Sequence, residues 1–309
     1  MTRPVSPPIT AAAAVLLLML STVWGASFFL AEVALTEVPP LTITLHRVAW
    51  AVPILIWVVW RQGIAWPRSV TIWGAYLVMG ALNNAIPFSL VFWSQKYIES
   101  GLASILTGTT AVFGGVVAGL LLRDEPLTLA RIVGALLGLA GVAAIMGADL
   151  LAGLDPRNIA QLAVLLAALC YALASVWAKV RLSGPPPQMN ALGMLMGSTF
   201  WMTPAAFIVD GPPSLDLSVQ VWVALLGLAS FGTAFAYLLY YRILIRAGAA
   251  NLMLVTLLVP PIAVALGAAF LEETLGCEAW IGFALIALGL VVTDGRLWST
   301  WADRQDGRR

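Results

Sequence analysis

Long uninterrupted apolar runs constrain this chain before anything else, because about 20 such residues in a helix span the hydrocarbon core of a bilayer. Proline, glycine and charge divide the sequence into ten of them, at 9–31, 41–60, 70–93, 101–122, 128–148, 157–178, 188–209, 218–241, 249–271 and 277–294. The connectors are short, and Pro39-Pro40, Pro185-Pro186-Pro187 and Pro212-Pro213 stand where helices must stop. Composition agrees: 10% of residues are charged, against about 25% in an ordinary soluble domain. The expected fold class is an all-α integral membrane protein with ten transmembrane helices. Arg3 and Ala26 imitate a secretory signal, but the first run is too long for a signal core and is read as a span. Cys170 and Cys277 lie in or beside apolar runs and suggest neither a disulfide framework nor a metal cluster.

One stretch occurs twice, 148 residues apart. Glu125 corresponds to Glu273, Asp124 to Glu272, Leu127 to Leu275, Gly134 to Gly282 and Gly141 to Gly289. A period of that size is a duplicated bundle, not a solenoid unit. The chain therefore divides into two five-helix repeats, 1–153 and 154–309.

Lys and Arg set the expected orientation, since short cytoplasmic connectors hold the positive charge. With the amino terminus inside, thirteen of the 16 basic residues fall on the inner side; Lys96 and Arg157 fall outside and Arg47 within a span. Five helices per repeat, an odd number, then make the two repeats inverted in topology. Inverted repeats are the plan of secondary transporters, with a substrate site near the midplane and alternating access.

Trp24-Gly25-Ala26-Ser27-Phe28, Arg47, Asn83-Asn84-Ala85-Ile86-Pro87-Phe88, Gly101-Leu102-Ala103-Ser104-Ile105-Leu106 and the two acidic hairpins, in that order, resemble the EamA-type transporters of the drug/metabolite transporter superfamily. The resemblance covers nearly the whole chain. It implies ten helices, cytoplasmic termini, a central cavity between the repeats and, in many bacterial members, export of amino acids or related metabolites. Thr107 and Ala111 stand where members often carry Asn and Pro in the fourth span.

Charge inside a bilayer is costly and usually functional. His46 and Arg47 lie about six residues into the second span, close enough to its outer end for part of each side chain to snorkel. Arg47 either bonds backbone and neighbouring helices or attracts an anionic substrate group and gates the outer mouth; His46 is either solvated or a proton carrier. Uncharged polar and aromatic residues can hold a zwitterionic or amphipathic solute without a buried charge. Candidates for substrate contact are Trp24, Ser27, Asn83, Asn84, Phe88, Thr107, Tyr171, Ser175, Thr233 and Tyr237. Ser230, Thr233 and Tyr237 share one helical face. The alternative for each hydroxyl is helix packing or a bond to its own backbone. Pro260 and Pro261 are expected to kink the ninth span. The acidic hairpins read as structural turns, with a gating contact as the alternative.

An intramembrane enzyme lacks its parts here, with one histidine and no Ser or Cys beside a base. A nucleotide motor lacks a phosphate loop. The expectation is a secondary transporter in the bacterial inner membrane, exporting amino acids; the alternatives are export of drugs or other metabolites, or lipid handling. Its partners are a small-molecule substrate and the lipid bilayer, with no nucleic acid, cofactor or metal, and the chain is a monomer or weak oligomer.

Overall fold

A computed structural model describes residues 10–122, 128–146, 156–252 and 254–294. Seven of its helices are long and apolar enough to cross a membrane: α1 (Ala11–Leu35), α2 (Pro40–Arg61), α3 (Val70–Ser94), α4 (Ser100–Leu121), α6 (Pro156–Arg181), α7 (Pro187–Val209) and α8 (Val219–Ile243, helical on to Leu252). Three shorter apolar helices accompany them, α5 (Leu129–Met146), α9 (Val255–Phe270) and α10 (Cys277–Asp294). The expected boundary near 241–249 moves, because Ala247, Ala249 and Ala250 favour helix and carry α8 past the basic residues Arg242 and Arg246. Large apolar side chains such as Leu136, Phe200, Ile208 and Phe231 are exposed on the outside, as lipid contact requires.

Within the bilayer, lipid is as apolar as leucine, so helices are held by close backbone approach at small residues. The recurring glycines do this reciprocally. A Cβ on Gly141 would lie 2.7 Å from the Gly282 carbonyl oxygen, one on Gly282 would lie 2.6 Å from that of Gly141, and one on Gly289 would lie 2.6 Å from that of Gly134. Each glycine thus meets the counterpart of its own repeat mate, the pattern a two-fold axis produces. Residue numbers rise along α5 as they fall along α10, so the fifth helices of the repeats run antiparallel. Gly141→Val and Gly282→Val are each expected to lower stability by about 1–3 kcal/mol, and by similar amounts; thermal unfolding of the purified variants checks this.

Two helices carry a π-helical turn, α3 at Ala81–Ala85 and α8 at Ser230–Phe235. In α3 the cause is Pro87, whose ring cannot accept the Asn83 carbonyl at the usual α-helical distance. The wider turn relieves that conflict, and the Ile86 amide bonds Ala81 instead. Such turns recur at functional sites because they re-aim neighbouring side chains.

One end of the bundle is tied shut by carboxylates that reach from one repeat to cap a helix amino terminus in the other. Asp210 Oδ2 accepts from the Thr42 amide (2.8 Å) and hydroxyl (3.0 Å) in the first turn of α2. Glu37 Oε2 accepts from the Ser218 amide at the start of α8 (2.8 Å). Glu273 accepts from the Ser100 amide (2.8 Å), the Ser100 hydroxyl (2.9 Å) and the Gly101 amide (3.2 Å) at the start of α4. Each pairs negative charge with unsatisfied N–H groups and the positive end of a helix dipole. The Ser218 bonds hold the Glu37 carboxyl below its ordinary pKa. Its stabilising contribution is therefore present above the ordinary carboxylate range and lost as pH falls through the lowered folded value.

Glu273 reaches α4 because Glu272 turns the chain in the left-handed conformation, φ 57°, bringing the Glu273 amide back to the Gly267 carbonyl (3.2 Å). A side chain there is strained, so Glu272→Gly is expected to raise stability by about 0.5–1 kcal/mol, read as a higher unfolding midpoint. The first acidic hairpin, Asp124 and Glu125, lies outside the described residues.

Candidate functional site

Three of the sequence candidates meet in one hydrogen-bonded chain at the waist of the bundle. Asn83 Nδ2 donates to the Tyr237 hydroxyl (3.1 Å), which donates to Asn84 Oδ1 (2.9 Å). Asn84 Nδ2 donates to Ser198 Oγ (2.9 Å), and the single Ser198 hydroxyl proton is directed between the carbonyls of Met194 (2.8 Å) and Gly80 (3.1 Å). The π turn of α3 presents both asparagines, and α3 meets α7 closely because Gly80 and Gly197 leave room for backbone contact. Asn84 is fully buried, so an amide too polar for lipid is satisfied wholly within the protein.

Arg47 forms the second part. It is 6% exposed, so it does not snorkel as expected but turns into the bundle. The reason is the π turn of α8, which frees acceptors at the right depth. Arg47 Nε donates to Thr233 Oγ1 (3.0 Å) and Nη2 to the Gly232 carbonyl (3.2 Å). Its guanidinium lies over the Phe88 ring, 3.9 Å from the centroid, a cation–π contact that strengthens away from water. Arg47 makes no ion pair among the described residues. The Tyr171 hydroxyl has no hydrogen-bond partner among the described residues. A cation bonded only to neutral groups keeps most of its attraction for an anion.

The remaining candidates are placed elsewhere or satisfied locally. Ser27, Thr107 and Ser175 return bonds to the carbonyls of Val23, Ala103 and Ala172, the helix-internal alternative. Ser27 also packs on Gly232, where a Cβ would come within 2.6 Å of its Oγ, so it supports the π turn that binds Arg47. Trp24 stacks at a tilt against Tyr240, centroids 6.2 Å apart, and makes no bond to the asparagine chain. Ser230 is half-buried, and the π turn breaks the single face on which it was expected with Thr233 and Tyr237. His46 is buried and accepts from Trp50 Nε1 at Nδ1 (2.9 Å). That bond places its proton on Nε2, which has no partner. Helix α9 continues through both Pro260, which is buried, and Pro261, which is exposed.

Two participants were missed from the sequence. Ser198 and Met194, the latter accepting from Asn83 Nδ2 through its sulfur (3.2 Å), sit in an unremarkable apolar run. The available signal was the spacing of Gly193 and Gly197, which marks a close crossing beside Ser198.

A buried chain of amides and phenol, with a buried arginine that has no ion pair among the described residues, inside an otherwise apolar helical bundle of two related halves, marks a multi-pass membrane protein with a polar interior. The EamA-like transporter family model matches residues 11–147 and again 158–293. The chain belongs to that family, with one copy of the family unit in each half. An uncharacterized transporter of Bacillus subtilis (strain 168), YoaV, is 25% identical over 271 residues, covering 87% of this chain and 91% of that one. Protein PagO of Salmonella typhimurium is 26% identical over 260 residues, covering 82% and 83%. A protein known from a crystal structure shares the fold, with a TM-score of 0.65 and 19% identity over 92% of this chain and 97% of the other.

Proposed function

We propose that the chain is a secondary transporter that needs no ATP and exports small metabolites carrying an anionic group, amino acids first among them, across the bacterial inner membrane. The observation that carries this reading is Arg47, a buried guanidinium whose bonded partners are a hydroxyl and a carbonyl. A substrate carboxylate would supply the missing charge, and the Asn83, Asn84 and Tyr237 groups would exchange their mutual bonds for bonds to the rest of the solute. In this reading ten helices cross the membrane as two inverted repeats, both termini lie in the cytoplasm, and the carboxylate-capped end faces outward, since the basic connectors lie at the other end. Release outward then requires the Asp210, Glu37 and Glu273 caps to part.

The test is uptake into liposomes containing the purified protein, with a labelled panel of aromatic, aliphatic and hydroxylated amino acids, run with and without a pH gradient. Saturable uptake that is competed by unlabelled solute supports the reading, and its response to the gradient reports coupling. Absence of uptake for every carboxylated solute, with uptake of cationic drugs or of lipid, overturns it. Tyr237→Phe removes the hydroxyl that joins both asparagines. It is expected to cost about 1 kcal/mol of stability and to raise the half-saturating concentration about tenfold, measured in the same liposomes.

A further inference from the structure

His46 is the one histidine in the chain, and the anion reading at Arg47 makes no use of it. It is 8% exposed. Its Nδ1 accepts from Trp50 Nε1 at 2.9 Å, and because an indole nitrogen only donates, that ring nitrogen carries no proton. Turning the ring over would set a carbon against the indole N–H, so the bond fixes tautomer and orientation together. The imidazole is therefore neutral in this closed arrangement, with its Nε2 proton buried and lacking an acceptor. A second proton would have to enter at Nδ1, against the Trp50 N–H, and would leave an imidazolium with no acceptor at either nitrogen.

The His46–Trp50 bond crosses a break in α2. Regular helix runs from Pro40 to Ala49 and again from Ala51 to Arg61, interrupted at Trp50, because Pro53 lacks the amide that would bond the Ala49 carbonyl. The side-chain bond is thus a brace over a joint. The outer segment that it steadies holds Thr42, one turn above His46, which Asp210 caps. His46 also meets Trp222 of α8 edge to face, with ring centroids 5.9 Å apart and an interplanar angle of 82°. Trp222 lies one turn below Ser218, which Glu37 caps. Brace, aromatic contact and caps close one seam between the repeats.

The helices packed on this outer segment are α1, α3, α7 and α8. Their charged groups at this end are Glu32 and Glu37, of α1 and its connector, and Asp210 after α7; α3 from Ile86 to Ser94 and α8 from Val219 to Ala229 bring none. Glu32 bonds Gln95, Glu37 bonds Ser218 and Asp210 bonds Thr42, so each of these carboxylates is already engaged away from His46. Arg47, next along α2, opposes a positive charge there. We propose that His46 is a proton-operated catch on the capped end. Neutral, it braces α2 in the closed arrangement; a proton taken up at Nδ1 breaks the Trp50 bond, frees the outer segment and lets the end open. In the open state water reaches the imidazolium, and Glu37 and Asp210, released from their amides, supply the negative charge that it lacks when closed. Proton binding and opening then favour each other. The inference needs neither the anion reading nor the outward placement of this end.

The experiment uses the full chain purified in detergent on a histidine-free tag, so that a single imidazole is observed. Nitrogen-15 histidine spectra should show the neutral Nε2–H form at about pH 8 and the imidazolium as pH falls to about 5, the range over which histidine titrates. In a background of Cys170→Ala and Cys277→Ser, which removes both native thiols, spin labels on Thr36→Cys and Leu215→Cys, both exposed positions, report the separation across the capped end by dipolar spectroscopy. The longer separation is expected to gain about tenfold in population over the same pH range. His46→Gln keeps an oxygen that accepts from Trp50 but does not titrate, and is expected to abolish that gain. Trp50→Phe removes the donor that opposes the proton, and is expected to move the midpoint of opening upward by about half a pH unit. An imidazolium already present at about pH 8, titration without a change in separation, or an unmoved midpoint in Trp50→Phe overturns the proposal. So does an undiminished gain in His46→Gln, which would assign opening to the carboxylates Glu32, Glu37, Asp210 and Glu273.

Discussion

Arg47→Met is expected to raise the half-saturating concentration for a carboxylated substrate at least a hundredfold in liposomes while leaving most of the protein folded. The size follows from removing one partner of a desolvated charge pair, which typically costs 2–5 kcal/mol. Methionine keeps an unbranched apolar stem but deletes the guanidinium that lies over Phe88, so the substitution removes the charge and its cation–π contact together. The groups left behind are not orphaned badly. Thr233 Oγ1 also donates to the Leu228 carbonyl at 2.9 Å, and the Gly232 carbonyl lies in a π turn that already tolerates loosened backbone bonding. Comparison with an uncharged analogue separates recognition from folding. An amide or ester of the same substrate should respond little to Arg47→Met, whereas a merely structural arginine would weaken both equally. Arg47→Lys should recover only part of the loss, because an ammonium cannot bond Thr233 and Gly232 together while lying flat on a ring.

Glu273→Ala is expected to lower stability by about 2–4 kcal/mol, the largest stability effect of any single change at the capped end. Three donors, the Ser100 amide and hydroxyl and the Gly101 amide, lose a charged acceptor at once. A hydrogen bond to a charged group is worth roughly 1.5–3 kcal/mol, and three at one carboxylate share their energy and do not add. Glu273→Gln should retain about half the effect, since one amide oxygen still accepts but the charge facing the α4 dipole is gone. Thermal unfolding decides the matter, and a midpoint within a degree of the parent for Glu273→Ala would mean that α4 is capped by water. The same variant tests gating. A cysteine placed in the capped end of this protein should label faster with a membrane-impermeant thiol reagent once the cap is lost.

The match between pattern and structure is uneven for identifiable reasons. Ser27, Thr107 and Ser175 were candidates for substrate contact, but each lies within reach of a carbonyl three or four residues back and takes it, the alternative the sequence also offered. Asn83, Asn84 and Tyr237 did converge, because the Tyr237 hydroxyl reaches both amides across the bundle and Ser198 accepts from the second of them. Arg47 was read as able to snorkel in part or to bond backbone and neighbouring helices, and the acceptors it bonds lie in a π turn of α8 that no apolar periodicity announces. The acidic hairpin at Glu272-Glu273 was read as a turn, and its reach to α4, 173 residues earlier in sequence, has no signature along the chain.

The amino-acid sequence by itself determined the solvent, the division into two halves and the glycine register, because run length, charge content and a 148-residue recurrence are one-dimensional quantities set by the bilayer and by duplication. Only the tertiary structure decided which acceptors Arg47 meets, which amides share Tyr237, and that carboxylates of each repeat cap helices of the other. Those choices depend on helix rotation and depth within the bundle, and a side chain's partner in three dimensions is not encoded by its neighbours along the chain.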